Sequence, residues 1–106
     1  MTERAARSAL DALGDPTRRS ILELLRHRPR SVREISDEVP VTRSAVSQHL
    51  RVLKDARLVA DRPEGTRRIY SVAPEGFSDA NAYLAAFWRD ALANLKNVAE
   101  REGRAR

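Results

Sequence analysis

Apolar residues recur with a helical period along the first half of the chain and then switch to a strand-like one. Glu3–Leu13 places Ala6, Ala9, Leu10 and Leu13 on one face, which predicts a helix that Gly14 stops. Asp15-Pro16 restarts the chain: a carboxylate can accept from free amides at a helix start, and proline suits the first helical position because no donor is needed there. The second helix runs to about Arg26 with Ile21, Leu22, Leu24 and Leu25 apolar, and His27-Arg28-Pro29-Arg30 breaks it. Ser31-Val32-Arg33-Glu34 has the form of a capping box and opens a short third helix, Val32–Glu38. Pro40 disfavours helical geometry at the residue before it, so Val39-Pro40-Val41 ends that helix. Thr42 caps a fourth, Arg43–Asp55, with Ala45, Val46, His49, Leu50, Val52 and Leu53 inward and Arg43, Ser44, Ser47, Gln48, Arg51 and Lys54 outward.

Beyond Arg57 the period shortens. Leu58–Arg62 and Arg67–Val72 are β-rich runs around Pro63-Glu64-Gly65-Thr66, which predicts a hairpin. Pro74-Glu75-Gly76 punctuates, and a long last helix is expected over about Asp79–Arg101 with Ser78 as its cap. Leu84, Trp88, Ala91, Leu95 and Val98 step by four and three, the spacing of a coiled-coil seam. An Arg-rich tail, 101–106, is expected to be flexible, leaving residues 1–100 as the folded domain.

Composition narrows the function. A chain of 106 residues makes one domain, or less than one if its core is completed by a second copy. It has no cysteine, which removes disulfides, thiolate metal sites and cysteine nucleophiles together. The longest apolar run, Tyr83–Trp88, falls far short of the ~20 residues a membrane helix needs. No secretory block opens the chain, so a cytoplasmic protein is expected. The formal charge is +5, and between Arg43 and Arg68 seven basic residues (Arg43, Arg51, Lys54, Arg57, Arg62, Arg67, Arg68) face three acidic ones (Asp55, Asp61, Glu64). A positive excess gathered in one stretch points to a polyanion, while an Arg-rich solvated surface explains it equally well.

Together these elements make an α+β, mainly helical architecture: a winged helix-turn-helix of five main helices plus a β-hairpin wing, dimeric through its long last helix. The major groove of B-DNA admits one α-helix, whose outer face must offer donors and acceptors to base edges. Thr42, Arg43, Ser44, Ser47, Gln48, His49 and Arg51 supply that face; Arg62, Arg67 and Arg68 on the hairpin suit phosphates or an adjacent minor groove. The segments "ALGDPTRRSILELL", "PVTRSAVSQHLRVLKDARLV" and "RPEGTRRIYSV" resemble the ArsR/SmtB family of bacterial winged-helix repressors over about residues 12–72. The resemblance implies that residues 43–55 are the recognition helix and 57–72 the wing. It also implies a dimer packed through its first and last helices, here Ala6, Leu10, Leu84, Phe87, Trp88, Ala91, Leu95 and Val98, that acts by blocking promoters.

Metal-sensing members of that family bind through cysteines, or through Asp, His and Glu sets on the last helix. This chain has no Cys, and from Asp79 onward no His, with Asp79, Asp90, Glu100 and Glu102 scattered; it is closer to the metal-independent members. No cofactor or metal is expected, and a small-molecule effector is left open. The partners expected are double-stranded DNA and a second copy, with no membrane. Several residues carry two readings: His49 as a packed side chain or a phosphate contact, Tyr70 as wing packing or a DNA contact, Phe87 and Trp88 as dimer core or an effector pocket. Arg18 and Arg19 can hold a phosphate, meet solvent or form an internal ion pair. Ser47 and His49 sit two apart on one helix and point away from each other, so they form no nucleophile–base pair, and the chain is not expected to be an enzyme. Rival readings are a repressor answering an organic effector and a winged helix used as a protein-interaction module.

Overall fold

The computed structural model describes residues 3–105. The elements run α1 (Glu3–Leu13), α2 (Pro16–His27), β1 (Arg30–Ser31), α3 (Val32–Glu38), α4 (Arg43–Asp55), β2 (Val59–Glu64), β3 (Arg67–Val72) and α5 (Pro74–Ala105). Helices α2, α3 and α4 start as the sequence dictates. Asp15 accepts the Arg18 N–H at 2.9 Å with Pro16 behind it, and Thr42 accepts the Ala45 N–H at 3.1 Å. Both halves of the Ser31–Glu34 capping box form: Ser31 Oγ accepts the Glu34 N–H at 3.2 Å and Glu34 Oε1 accepts the Ser31 N–H at 3.0 Å. The Ser31 N–H first, and the Arg28 side chain second, lower the pKa of the Glu34 carboxyl to about 2.

One apolar core joins α1–α4, the hairpin and the start of α5. Ile21, Ile35, Val46, Leu50, Leu53 and Leu58 are its fully buried large side chains. Because Val46, Leu50 and Leu53 point inward from α4, the opposite stripe of that helix must face solvent. The sheet has the order β1-β3-β2, all antiparallel, with Glu64 opposite Arg67 closing the hairpin. The loop is two residues long, and positive φ at Gly65 alone is the pattern of a type II′ turn.

Three boundaries differ from expectation. A strand, β1, forms where only a break was expected, its two residues pairing with Tyr70 and Ile69. The hairpin begins at Val59 and continues through Pro63 and Glu64, so the turn shrinks to Gly65-Thr66. The last helix starts at Pro74 rather than Asp79, Ser78 lies inside it instead of capping it, and it runs on to Ala105. Arg101–Ala105 is therefore helical, not a flexible tail; Arg106 lies outside the described residues.

The early start of α5 has a steric cause. α4 ends in a Schellman motif: the Arg57 N–H donates to Lys54 O and the Leu58 N–H to Leu53 O, both at 2.9 Å, with Arg57 at φ 61°. The Arg57 carbonyl then accepts the Gly76 N–H at 2.7 Å. A Cβ on Gly76 would collide with the Ala56 carbonyl oxygen and lie 2.8 Å from the carbonyl carbon and oxygen of Arg57. Glycine is there for close approach, not for a turn. Arg57 also faces the buried Asp79, its Nη1 3.7 Å from Oδ2.

Gly76→Ala should therefore cost about 1–3 kcal/mol in urea unfolding at fixed protein concentration, despite the better helix propensity of alanine. Gly103→Ala, whose Cβ meets nothing within 4 Å, should be neutral or slightly stabilising. Equal effects at the two sites would contradict the close-approach explanation.

Candidate nucleic-acid interface

The outer face of α4 is laid out by the burial of its inner one. Thr42, Arg43, Ser44, Ser47, Gln48 and Arg51 are all exposed, while Val46, Leu50 and Leu53 are sealed below them. The Thr42 hydroxyl is engaged in the cap, which fixes where the helix begins. Val52 is 41% exposed and so does not point inward as the period suggested. His49 is half-buried at the edge of the face, its Nδ1 3.4 Å from Arg18 Nη1. A guanidinium has only donors, so Nδ1 must carry the lone pair if this contact is a hydrogen bond.

Arg18 and Arg19 do something none of the sequence alternatives named. Arg18 Nε donates to Ala12 O at 2.8 Å and its Nη2 to Asp11 O at 3.3 Å; Arg19 Nη1 donates to Leu13 O at 2.8 Å. Between them they satisfy the last carbonyls of α1, which has no basic residue of its own in its last turn. Asp15, whose carboxyl is held below its ordinary range chiefly by the Arg18 backbone N–H, anchors the other end of the same corner.

In the wing, all three arginines named from sequence have acidic neighbours. Arg62 Nη1 lies 2.9 Å from Glu64 Oε2 and Arg67 Nη2 lies 3.5 Å from Glu64 Oε1. These are exposed pairs, each worth at most about 1 kcal/mol and open to exchange. Arg68 is held differently: its Nε donates to Asp61 Oδ2 at 2.7 Å, and Lys54 Nζ from the last turn of α4 meets Asp61 Oδ1 at 2.9 Å. The Asp61 side chain is only 6% exposed, so one carboxylate ties α4 to the wing. Asp61 and Lys54 were not among the site residues read from sequence. Asp61 stands opposite Tyr70, diagonal to Arg68, and that register is invisible without the paired strands. Tyr70 is half-buried against the core, which favours packing beneath the wing.

The second expected surface lies on α5. Leu84, Phe87, Trp88, Leu95 and Val98 are exposed, Trp88 by 58% and Phe87 by 62%, and Ala91 is half-buried. Leu92, missed because it falls between the four-and-three steps, adds a sixth large apolar side chain at 51% exposure. Ala6, by contrast, is covered within its own chain, where α1 packs along α5, and Leu10 packs partly against the core. No helix among the described residues is long and apolar enough to cross a membrane.

A short helix, a turn, a second helix with a solvent-facing polar stripe and an Arg-bearing hairpin beside it define a winged helix-turn-helix DNA-binding protein. The chain belongs to the arsR family of bacterial regulatory proteins: the family pattern matches residues 15–61, and the HTH-type transcriptional regulator Rv2034 of Mycobacterium tuberculosis is 48% identical over 102 residues, 96% of this chain and 95% of that protein. It is also similar to the transcriptional repressor SdpR of Bacillus subtilis, 30% identical over 76 residues, 72% of this chain and 84% of that one. Among solved structures, a possible transcriptional regulator for arsenical resistance superposes with a TM-score of 0.72 at 39% identity, covering 83% of this chain and 92% of the other. An ArsR-like transcriptional regulator from Rhodococcus sp. RHA1 gives 0.74 at 27% identity, covering 91% and 93%. The protein is a transcriptional regulator, not an enzyme.

The Asp61 carboxyl is held below its ordinary range, by Lys54 first and Arg68 second, against burial that pushes it up. A carboxyl depressed on folding stabilises the native state above its unfolded value of about 3.9, and that contribution is lost as pH falls through the depressed value. Asp61→Asn should lower Tm at neutral pH and flatten the fall in Tm below about pH 4. Thermal melts across pH check this; parallel acid declines for the two proteins would contradict it.

Proposed function

We propose that the protein is a homodimeric repressor that binds a partly palindromic operator, with α4 of each protomer in successive major grooves and no transition-metal sensor site. The observation that carries the dimer is the unpartnered stripe Leu84, Phe87, Trp88, Leu92, Leu95 and Val98 on a 32-residue helix. At ~1.5 Å per residue that helix is ~48 Å long, in a molecule measuring 70 × 28 × 22 Å, so much of it stands clear of the body. Six large apolar side chains in one row form a contiguous patch of the kind that marks an association surface. A two-fold axis through this stripe relates two recognition helices, which on B-DNA would lie about 34 Å apart.

Gln48 and Arg51 offer bidentate partners for adenine and guanine, and Ser44 and Ser47 supplement them; the wing supplies the sequence-independent grip. SdpR, similar over most of the chain, bears the name of a repressor, which supports the direction of regulation. The absence of any cysteine, with a last helix that carries no histidine, supports the metal-independent reading. A second reading, a repressor released by an organic effector, has one observation in its favour. An apolar cleft of about 380 Å³ lies between α2, the end of β3 and the start of α5, lined by Leu13, Leu22, Val72 and Phe77 beside Arg19, Glu23 and Arg26. A ligand seated there would raise the Tm of the folded protein.

Leu95→Asp should yield a monomer by sedimentation velocity and weaken operator binding sharply; a variant that stays dimeric would refute this interface. In binding assays, Gln48→Ala should relax preference at one base position by ~1–3 kcal/mol, whereas Arg67→Ala should weaken every duplex and flatten the salt dependence. Equal losses on all DNA from both substitutions would overturn the division of labour between helix and wing.

A further inference from the structure

We infer that the cleft between the wing and the starts of α3 and α4 seats one phosphate of the DNA backbone, and that Arg33, on the helix that does not read bases, is one of its ligands. The inference rests on the DNA-binding reading of α4 and adds a contact that neither the recognition helix nor the wing alone provides. The cleft measures about 480 Å³ and is lined by Arg33, Arg43, Arg67 and Arg68 with Ser31 and Tyr70 among its walls; no acidic side chain lines it. Glu64 and Asp61 offset part of the charge on Arg67 and Arg68, but Arg33 and Arg43 bring two further positive charges to the same opening that an anion seated there would balance.

The donors available fit that role. Arg33 and Arg43 are exposed and have no ion pair among the described residues. Arg68 presents both Nη groups because Asp61 takes its Nε, and Arg67 engages Glu64 only through Nη2 at 3.5 Å. The backbone that carries two of these cations is also held in place. The capping box fixes the first turn of α3, where Arg33 is the second residue, and the Thr42 cap fixes α4, where Arg43 is the first. On the strand beside Tyr70, Arg30 adds a further positive charge whose Nε is buried without a hydrogen-bond partner.

Continuity with α4 identifies the anion as a backbone phosphate rather than a free one. Arg43 lies both in the cleft and at the head of the face carrying Ser44, Ser47 and Gln48. A strand bordering the groove that α4 occupies would pass through the opening, clamped by the wing on one side and α3 on the other. Planar guanidinium forks suit that geometry because each can offer two parallel donors to phosphate oxygens.

The test is the salt dependence of binding to a random-sequence 30-base-pair duplex, read by fluorescence anisotropy between about 50 and 200 mM KCl. Arg33→Ala should make the slope of log K against log salt shallower by about one and weaken binding several-fold on every duplex. Arg33→Lys should restore most of both, and Arg4→Ala, an equal charge change at an exposed position of α1 outside the cleft, should leave the slope unchanged. If the wild type binds duplex and Arg33→Ala behaves like Arg4→Ala, the cleft proposal falls while the DNA reading stands. If the wild type ignores duplex DNA, both fall. Binding of a phosphoserine peptide that Arg33→Ala abolishes, with duplex binding untouched, also overturns it.

Discussion

The backbone of Ala56 and Arg57 lies directly against Gly76, and the arrangement of α4, the wing and α5 depends on that contact. It is the point where α4 ends, the wing begins and α5 starts, all within one hydrogen-bonded corner. Arg57 adopts a left-handed conformation that costs an ordinary side chain roughly 1 kcal/mol, and its carbonyl is thereby turned toward the Gly76 N–H. The helix proposed to carry the dimer surface is thus tied to the helix proposed to carry the DNA surface by backbone atoms, which have no rotamers to absorb a shift. In the proposed dimer, any change in how two copies pack along α5 would be passed to the angle at which α4 is presented.

The wing is organised around the same helix by charge. Asp61 bridges Lys54 on α4 and Arg68 on β3 from a site almost closed to solvent, whereas Glu64 meets Arg62 and Arg67 in the open. The two acids therefore play different parts. Glu64 can yield its arginines to phosphate oxygens at little cost, because exposed ion pairs contribute little. Asp61 gives up far less readily, since losing it would leave its two cations without the group that orients them. Loosely paired cations at the wing tip and a firmly paired one at its root suit the proposed role, in which the wing meets a DNA strand and holds it in register.

Much of this was legible in the sequence because it is written in local chemistry. Asp15-Pro16, the Ser31–Glu34 box and Thr42 start their helices through hydrogen bonds spanning three residues, and a reader needs only the spacing to see them. The polar face of α4 followed from its apolar one. What was hidden depends on residues far apart in the chain. Pro74-Glu75-Gly76 reads as a turn until the backbone of α4 is placed against it, and two residues of β1 have no period to detect. The partners of Asp61 require the hairpin register and the end of α4 at once. Leu92 escaped because a strict seam is narrower than the stripe α5 exposes, and Arg101–Ala105 because a short charged segment that mixes helix formers with Gly103 is compatible with both helix and coil.

The central claim is that two copies place matched α4 helices on one duplex. Hydroxyl-radical footprinting on a duplex selected from random sequence by the wild-type protein measures this most directly. Two protected patches centred about one helical turn apart on the same face of the DNA are the predicted result. A single patch the width of one helix, or protection spread evenly along the strand, would contradict it.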